Sequence, residues 1–185
     1  MCSAKNARRA VRCREIRKGE ACSMLEAVVA VYSDWGIGAE GTQPLVLRAD
    51  RRHFRALTEG AAVLVGRRTL ADFPGGRPLK GRVNLVLTRR HLAVEGAVVV
   101  HSAAEALEAA ARYARCFVIG GASVYWELFP HIDRVYVTKL DECPHSDVFF
   151  PNLDTDPDFV CEDPGEALEE DGVGYRFTVY RRSGT

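Results

Sequence analysis

The chain of 185 residues lacks the features that a membrane, disulfide-rich or zinc-binding protein needs. No apolar run approaches the roughly 20 residues that a membrane-spanning helix requires, so we expect no membrane partner. The six cysteines are scattered without C-x-x-C spacing, and a chain of this length does not need disulfides to fold. We therefore expect reduced thiols, no metal, a cytoplasmic location and a monomer.

The chain also lacks a net charge, but its charges are unevenly distributed. Residues 1–23 hold seven Lys or Arg and two Glu, so the rest of the chain is mildly acidic. A mildly acidic domain is a poor nucleic-acid binder, and we expect no nucleic-acid partner. We interpret 1–23 as a basic leader outside the folded domain, without the apolar segment of a secretory signal. An organelle transit sequence and an over-long start upstream of Met24 both remain open.

Short apolar runs alternating with helix-like segments dominate the rest of the chain. The runs that predict strands are LEAVVAVY (25–32), AAVLVG (61–66), RVNLVLT (82–88), GAVVVH (96–101), CFVIGG (116–121), DRVYVTKL (133–140) and YRFTVYRR (175–182). Helices are predicted over 49–58, over 102–115 and from about 123, and Ser102 and Glu105 predict a capping box. This alternation predicts one α/β domain over 24–185 with a mostly parallel sheet. The last two strands, with no clear helix between them, predict an antiparallel edge.

Three of the predicted strands end in residues suited to binding anions. Arg67-Arg68-Thr69 follows the second strand, Thr88-Arg89-Arg90 follows the third, and Gly120-Gly121 separates the fifth from a helix. Ligands of open α/β sheets bind beyond the carboxyl ends of the strands. Glycines allow close approach to the backbone, and arginines bind phosphate. The three together indicate a ligand with several phosphate groups. Alone, the glycine pair is better explained by a tight turn with nothing bound, and either arginine cluster is equally explained by solvated side chains.

The order of these motifs resembles that of the dihydrofolate reductase family from about Leu25 to Arg182. The stretches that carry the resemblance are AVYSDWGIGAEG, ADRRHFRALTEG, VLVGRRTLADFP, RPLKGRVNLVLTR, VIGGASVYWELFP, VYVTKLD and DVFFP. The resemblance implies a three-layer sandwich and the NADPH-dependent reduction of 7,8-dihydrofolate to tetrahydrofolate. It also implies a mobile loop that closes over the nicotinamide from Ile37 to Pro44, and a cis peptide between Gly120 and Gly121.

The resemblance further implies a set of binding residues. Those for NADPH are Ala30, Ile37, Gly38, Gly66, Arg67, Arg68, Thr69, Leu87, Thr88, Arg89, Gly120, Gly121, Ala122, Ser123 and Val124. Asp50 is implied as the carboxylate of the pterin pocket, with Thr138 hydrogen-bonded to it. The remaining substrate residues are Val28, Phe54, Phe73, Leu79, Arg82, Ile119 and Tyr125, of which Arg82 pairs with the glutamate tail. From the residues alone, the favoured interpretation of Asp50 is an acid that stabilises a helix start.

Two positions depart from the family pattern. Leu45 stands where the family normally has tryptophan, and Arg48 stands where it often has proline. The tryptophan helps to hold a water near the pterin, so Leu45 bears on turnover more than on binding. Two other hypotheses therefore remain: the related pyrimidine reductase of riboflavin synthesis, and a catalytically silent nucleotide-binding homologue.

Overall fold

The computed structural model describes residues 24–43 and 45–184. The predicted basic leader and Pro44 lie outside the described residues. None of the four α-helices in the described part of the chain has the length and apolarity that crossing a bilayer requires.

Strands and α-helices are interspersed up to Leu128, as the apolar runs predict, and five further strands follow among the described residues. The strands are β1 (Met24–Val31), β2 (Gly36–Gly38), β3 (Ala62–Gly66), β4 (Val83–Leu87), β5 (Ala97–Val100), β6 (Arg115–Val118), β7 (Arg134–Leu140), β8 (Val148–Phe149), β9 (Phe159–Asp163), β10 (Leu168–Glu170) and β11 (Val173–Arg182). The α-helices are α1 (Arg48–Thr58), α2 (Arg67–Ala71), α3 (Ala103–Ala110) and α4 (Ala122–Leu128). Short 3-10 turns span Pro74–Gly76 and Phe129–His131.

Nine strands form one mixed sheet in the order β10-β11-β7-β1-β6-β3-β4-β5, with β9 also paired to β11. From β7 to β5 every pairing is parallel. The pairings of β11 with β7, β9 and β10 are antiparallel. This confirms the predicted α/β fold with a mostly parallel sheet and an antiparallel C-terminal side. Sequence patterns miss β9 and β10 because most of their residues are exposed, so no apolar run marks them.

Apolar side chains cover both faces of the sheet, as a sheet between two helical layers requires. In β1, Ala27 and Val29 face a core shared with α3 and α4. Val28, between them, faces a second core that includes residues of α1 and α2. The alternation of side chains along each strand therefore produces the three layers.

Helix α3 differs from its prediction at both ends. Ser102 is the N-cap, and its Oγ accepts a 3.2 Å hydrogen bond from the backbone N–H of Glu105, as predicted. The Glu105 carboxylate, however, accepts the N–H of His101 at 2.8 Å, so the reciprocal bond of a capping box to Ser102 is not formed. The helix ends at Ala110 instead of Arg115, because the chain must turn before β6 begins.

Candidate active site

The predicted site residues gather along one edge of the sheet. The strand order places β4, β3, β6, β1 and β7 side by side, and all five are parallel. Their carboxyl ends therefore lie at the same edge, where α/β sheets bind ligands. Along this edge, the arginine clusters follow β4 and β3, the glycine pair follows β6, and Thr138 lies in β7. This edge therefore has two halves. The basic half lies at β3, β4 and β6, and the other half, at β1 and β7, contains a carboxylate.

The carboxylate is that of Asp50, in the first turn of α1. The hydroxyl of Thr138 donates a 2.7 Å hydrogen bond to Asp50 Oδ1, so the contact implied by the resemblance is present. Burial raises the pKa of Asp50 above its ordinary value, although Thr138, His53 and Arg51 oppose the rise. A half-buried carboxylate beside a threonine hydroxyl can accept two parallel N–H groups and can hold a proton at a higher pH than a solvated aspartate.

Apolar side chains surround this pair on the face covered by α1 and α2. Phe54 lies one helical turn after Asp50 and hence on the same side of α1. It belongs to a single apolar cluster with the other implied wall residues, Val28, Phe73, Leu79 and Ile119. Val28 and Ile119 are buried, whereas Phe54, Phe73 and Leu79 are half-buried and leave apolar surface for a ligand.

Tyr125 lies in a different environment from the other implied wall residues. Its ring is in the core on the opposite face of the sheet, edge-on to Phe150. Its hydroxyl donates a 2.6 Å hydrogen bond to the carbonyl of Val28, and burial raises its pKa. Since only 5% of Tyr125 is exposed, it supports the backbone of β1 beneath the cleft. Direct contact with substrate stays a prediction.

Asn84 is a residue of this site that the sequence reading missed. Its side-chain oxygen accepts the N–H of Leu79 and its side-chain nitrogen donates to the carbonyl of Leu79, both at 2.9 Å. The two bonds fix the segment that presents Leu79 to the cleft. A buried polar residue in the middle of the apolar run RVNLVLT was the signal that could have revealed it.

Arg82 lies beside the Phe54 ring, with its guanidinium carbon 5.8 Å from the ring centroid. Its Nε donates to Thr58 Oγ1 at 2.8 Å and its Nη1 to the carbonyl of Lys80 at 3.0 Å. Burial lowers its pKa, because the charged form loses solvent. Among residues 24–43 and 45–184 no carboxylate forms an ion pair with Arg82. A half-buried guanidinium without a carboxylate partner is suited to binding an anionic group of a ligand.

The glycine pair forms a close junction between β3 and β6. The peptide bond between Gly120 and Gly121 is cis, as implied, and Gly120 has φ +113°. The N–H of Gly66 donates to the carbonyl of Gly120 at 2.7 Å. A Cβ atom on Gly121 would lie 2.7 Å from Thr69 Oγ1, and one on Gly66 would lie 2.9 Å from Val124 Cγ2. A side chain at either position would have to displace the Thr69 or the Val124 side chain, which favours glycine at both.

The arginines of the basic half have no acidic partner among the described residues. In the described part of the chain, Arg67, Arg68, Arg89 and Arg90 form no ion pair. Arg68, Arg89 and Arg90 are exposed, and Arg67 is half-buried. Several unneutralised cations at neighbouring strand ends are suited to a ligand with more than one phosphate group. No group of three or more His, Cys, Asp or Glu side chains in the same residues is arranged to hold a metal ion.

The loop expected to close over the cofactor contains regular structure. Its first residues form β2, which pairs with β8. The N–H of Glu40 donates to Asp147 Oδ2 at 2.9 Å, and the N–H of Asp147 donates to the carbonyl of Gly38 at 3.1 Å. The segment around Asp147 therefore holds the loop from one side. That the loop moves stays a prediction.

Comparison with known proteins identifies this arrangement. The family model described as Dihydrofolate reductase matches residues 24–182. The chain belongs to the dihydrofolate reductase family. A dihydrofolate reductase of Bacillus subtilis (strain 168) is 32% identical over 161 residues, which cover 86% of this chain and 95% of that protein. A dihydrofolate reductase of Rattus norvegicus is 33% identical, with coverages of 85% and 97%.

A solved structure of a family member has the same fold. A dihydrofolate reductase from Enterococcus faecalis, complexed with NADP(H) and RAB-propyl, superposes with a TM-score of 0.78 at 30% identity, covering 86% of this chain and 96% of that one. These matches confirm the resemblance read from the sequence. They give no support to the alternative of a pyrimidine reductase.

The two departures from the family pattern lie close together before α1 and at its start. Leu45 is half-buried against a small core that contains Tyr32 and Leu140, and its N–H donates to the Tyr32 hydroxyl at 3.2 Å. Arg48 is exposed and forms ion pairs with Glu170 and Asp171. In this member of the family an aliphatic side chain and an ion-pair cluster thus stand where the pattern has tryptophan and proline.

Proposed function

We propose that this chain reduces 7,8-dihydrofolate to 5,6,7,8-tetrahydrofolate with NADPH, adding hydride at C6 and a proton at N5. The observation that carries the proposal is the half-buried Asp50 carboxylate bonded to Thr138 at the edge of an apolar cleft. Membership of the dihydrofolate reductase family supports the substrate, and the NADP(H) in the Enterococcus faecalis structure supports the cofactor.

Asp50 and Thr138 orient the pterin ring. The Thr138 hydroxyl donates a hydrogen bond to Asp50 Oδ1, so the hydroxyl oxygen still has lone pairs to accept an amino N–H. Asp50 Oδ2 accepts a second N–H of the same ring. The negative carboxylate stabilises positive charge on the ring and so favours protonation at N5. The pterin thereby lies with one fixed face toward the cofactor half of the cleft.

The rest of the substrate extends from this pair along α1. Phe54 packs against the pterin and benzoyl rings, while Phe73, Leu79 and Ile119 complete the apolar wall and exclude water. Arg82, which has no carboxylate partner among the described residues, binds the α-carboxylate of the glutamate tail. Val28 and Tyr125 contribute through the backbone of β1.

The basic half of the edge holds NADPH, which supplies the hydride when bound. Arg67 and Thr69, assisted by Arg68, bind phosphate groups, and Thr88 and Arg89 flank the adenosine end. The glycine junction and the start of α4 contact the diphosphate. The remaining contacts come from Ala30, Ile37, Gly38, Gly66, Leu87, Ala122, Ser123 and Val124. Two observations support this placement: these arginines form no ion pair within the described residues, and the glycine junction brings Gly121 close to Thr69.

The enzyme acts as a monomer in the cytoplasm, and residues 24–185 form its catalytic domain. One chain supplies every residue of the cleft described above. The three cysteines among the described residues, Cys116, Cys143 and Cys161, are free thiols, which suits a reducing compartment. Light scattering on the purified chain tests the oligomeric state, and a mass of twice the chain would contradict it.

A spectrophotometric assay of the purified chain tests the reaction. NADPH absorbance should fall when 7,8-dihydrofolate is added and stay constant without it, with tetrahydrofolate as the product. NADPH binding without turnover would instead indicate the silent homologue that Leu45 leaves open.

A further inference from the structure

The start of α1 lacks a cap of its own. The first N–H groups of an α-helix have no partner within the helix and need an acceptor from elsewhere. The N-cap residue is Leu47, whose side chain offers no acceptor. The acid at the third helical position is Asp50, and an acid there often reaches back to the N-cap. Its carboxylate instead accepts the hydroxyl of Thr138. The catalytic role of Asp50 thus removes a capping group that its helix would otherwise use.

Glu170, at the end of β10, supplies the missing acceptors. Its Oε1 accepts the N–H of Arg48 at 2.7 Å and its Oε2 accepts the N–H of Ala49 at 2.9 Å. The Glu170 side chain is only 12% exposed. Burial acts to raise the pKa of Glu170, but the hydrogen bonds from Arg48 and Ala49 outweigh it and lower the pKa below its usual value. Glu170 is therefore ionised in the neutral range, where a negative charge at a helix start is favourable.

Arg48 reinforces the same contact. Its Nε donates to Glu170 Oε1 at 3.3 Å, and its Nη2 donates to Asp171 Oδ2 at 3.0 Å. Proline, which the family often has at this position, has no N–H and can make neither contact. Arg48 thus contacts Glu170 through both its backbone N–H and its side chain.

The strand that follows Glu170 leads directly to the catalytic pair. Asp171 and Gly172 form a tight turn, with φ 54° and 82°, and β11 then runs antiparallel to β7 with Phe177 opposite Thr138. The Phe177 ring stacks on His53 of α1, with the ring centroids 4.1 Å apart. The hairpin of β10 and β11 thus holds α1 at its first turn and again one turn later. Between these two contacts lies Asp50.

We propose that Glu170 is a positioning residue for the reduction, because it caps the helix that carries Asp50 and holds that carboxylate against Thr138. This inference rests on the catalytic role proposed for Asp50. Without the cap, the first turn of α1 frays, the Asp50 carboxylate moves away from Thr138 and water reaches it. In the sheet, β7 and β1 separate the hairpin from β6, β3 and β4, the strands of the cofactor half.

Three variants of the full-length enzyme test the proposal. Glu170→Ala removes both acceptors, and Glu170→Gln keeps the side-chain length and one acceptor oxygen. Asp171→Asn is the matched control, because it removes a neighbouring exposed charge that, within the described residues, bonds the Arg48 guanidinium and not the backbone of α1. The measurements are kcat/KM for dihydrofolate against pH, the dissociation constant of NADPH, and the melting temperature.

Glu170→Ala should lower kcat/KM for dihydrofolate about threefold to thirtyfold, the range expected for loss of a helix cap. The apparent pKa of the profile should fall toward that of a solvated aspartate, because burial is the largest cause that raises the pKa of Asp50 and the variant admits water to the carboxylate. Glu170→Gln should lie between Glu170→Ala and wild type. The dissociation constant of NADPH should stay within about twofold of wild type in all variants. In Asp171→Asn, kcat/KM should also stay within about twofold of wild type.

A double-mutant cycle of Glu170→Ala with Arg48→Pro tests whether Glu170 acts through the backbone at the start of α1. Proline is well tolerated at the first helical position, and it removes one of the two N–H donors. Glu170→Ala should therefore cost less in the Arg48→Pro background than in wild type. A lower melting temperature in both Glu170 variants with unchanged kcat/KM and unchanged apparent pKa would overturn the proposal.

Asp50→Asn, measured in parallel, distinguishes failure of the role proposed for Glu170 from failure of the role proposed for Asp50. If it retains wild-type turnover, the proposed function of Asp50 fails, whereas if Asp50→Asn alone is impaired, only the role of Glu170 fails.

Discussion

Thr138 and Asp50 are 88 residues apart in the chain, yet their side chains share a 2.7 Å hydrogen bond. The register of β7, in which Thr138 lies opposite Ala30 of β1, sets the position of the hydroxyl. The start of α1 sets the position of the carboxylate. The geometry of the reaction thus depends on how one helix is seated on the edge of one strand.

Replacement of Asp50 by asparagine should abolish most of the activity and leave the fold intact. The variant keeps the shape of the side chain but removes its charge and its titration. We expect hydride transfer at neutral pH to fall by about 10²-fold or more, the scale for loss of a group that assists proton transfer. Stopped-flow measurement of NADPH oxidation tests this, with the exposed α3 variant Glu108→Gln as control. The deficit should shrink at low pH, where the substrate is protonated without help. Wild-type rates across the whole pH range would show that Asp50 only stabilises the helix start.

The same substitution should stabilise the protein at pH 7. Burial raises the pKa of Asp50 in the folded state above that in the unfolded chain. Between these two pKa values the folded state binds more protons, so this contribution to stability is lost as the pH rises through the interval. At pH 7 the buried charge therefore costs stability, and a neutral asparagine side chain removes that cost. We expect Asp50→Asn to have a higher melting temperature at pH 7, by about 2–4 °C for each kcal/mol recovered. The difference should vanish below the ordinary aspartate pKa of about 3.9. Calorimetry across pH measures it, and a lower melting temperature at pH 7 would contradict the desolvation argument.

The arginines after β3 should make the enzyme prefer NADPH to NADH. Arg67 and Arg68 form no ion pair within the described residues, so they are left without an anion if the 2′-phosphate is missing. Loss of one charge-assisted hydrogen bond costs about 1.5–3 kcal/mol, so we expect a preference of at least tenfold. Arg67→Gln should reduce this preference, whereas Arg112→Gln on the surface near the end of α3 should leave it unchanged. Dissociation constants for both cofactors measure the effect. Equal affinity of the wild-type enzyme for both would rule out this assignment.

Arg82→Leu should weaken the binding of dihydrofolate but hardly affect a pterin that lacks the glutamate tail. Removal of a charged hydrogen-bonding partner of a carboxylate should raise the dissociation constant for dihydrofolate about tenfold or more. Because Arg82 also bonds Thr58 and the carbonyl of Lys80, its loss should lower the melting temperature as well. The comparison of the two ligands separates these effects. An equal loss of affinity for both would mean that Arg82 is only structural.

Leu45→Trp tests the departure from the family pattern. If Leu45 slows hydride transfer because it cannot hold a water near the pterin, Leu45→Trp should transfer hydride faster than wild type. Its affinity for NADPH should equal that of wild type. Leu45 contacts the small core around Tyr32, so the variant must also be compared with wild type in melting temperature. A slower enzyme, or an unfolded one, would show that this core has repacked around leucine. Leu45→Phe serves as a control for size.

The sequence pattern was most informative where one side-chain property repeats along the chain. The parallel strands are rich in apolar residues, since both faces of the sheet are covered, and every one of them was predicted. The exposed strands β9 and β10 have no such run and were missed. The glycine junction could be predicted for a related reason. A turn with little room for a side chain favours glycine, which is recognisable in the sequence.

What the sequence determined by itself was the fold class, the family and the identity of the groups at the strand ends. These depend on local patterns and on the order of short motifs. Only the tertiary structure showed that Tyr125 is enclosed in the core, that Asn84 holds the backbone of Leu79, and that Glu170 caps the helix of Asp50. Each of these depends on contacts that local patterns do not encode, such as the one between Ala49 and Glu170, which are 121 residues apart. A hydrogen bond of this kind is set by sheet register and helix position, and neither residue carries a mark of its partner in the sequence around it.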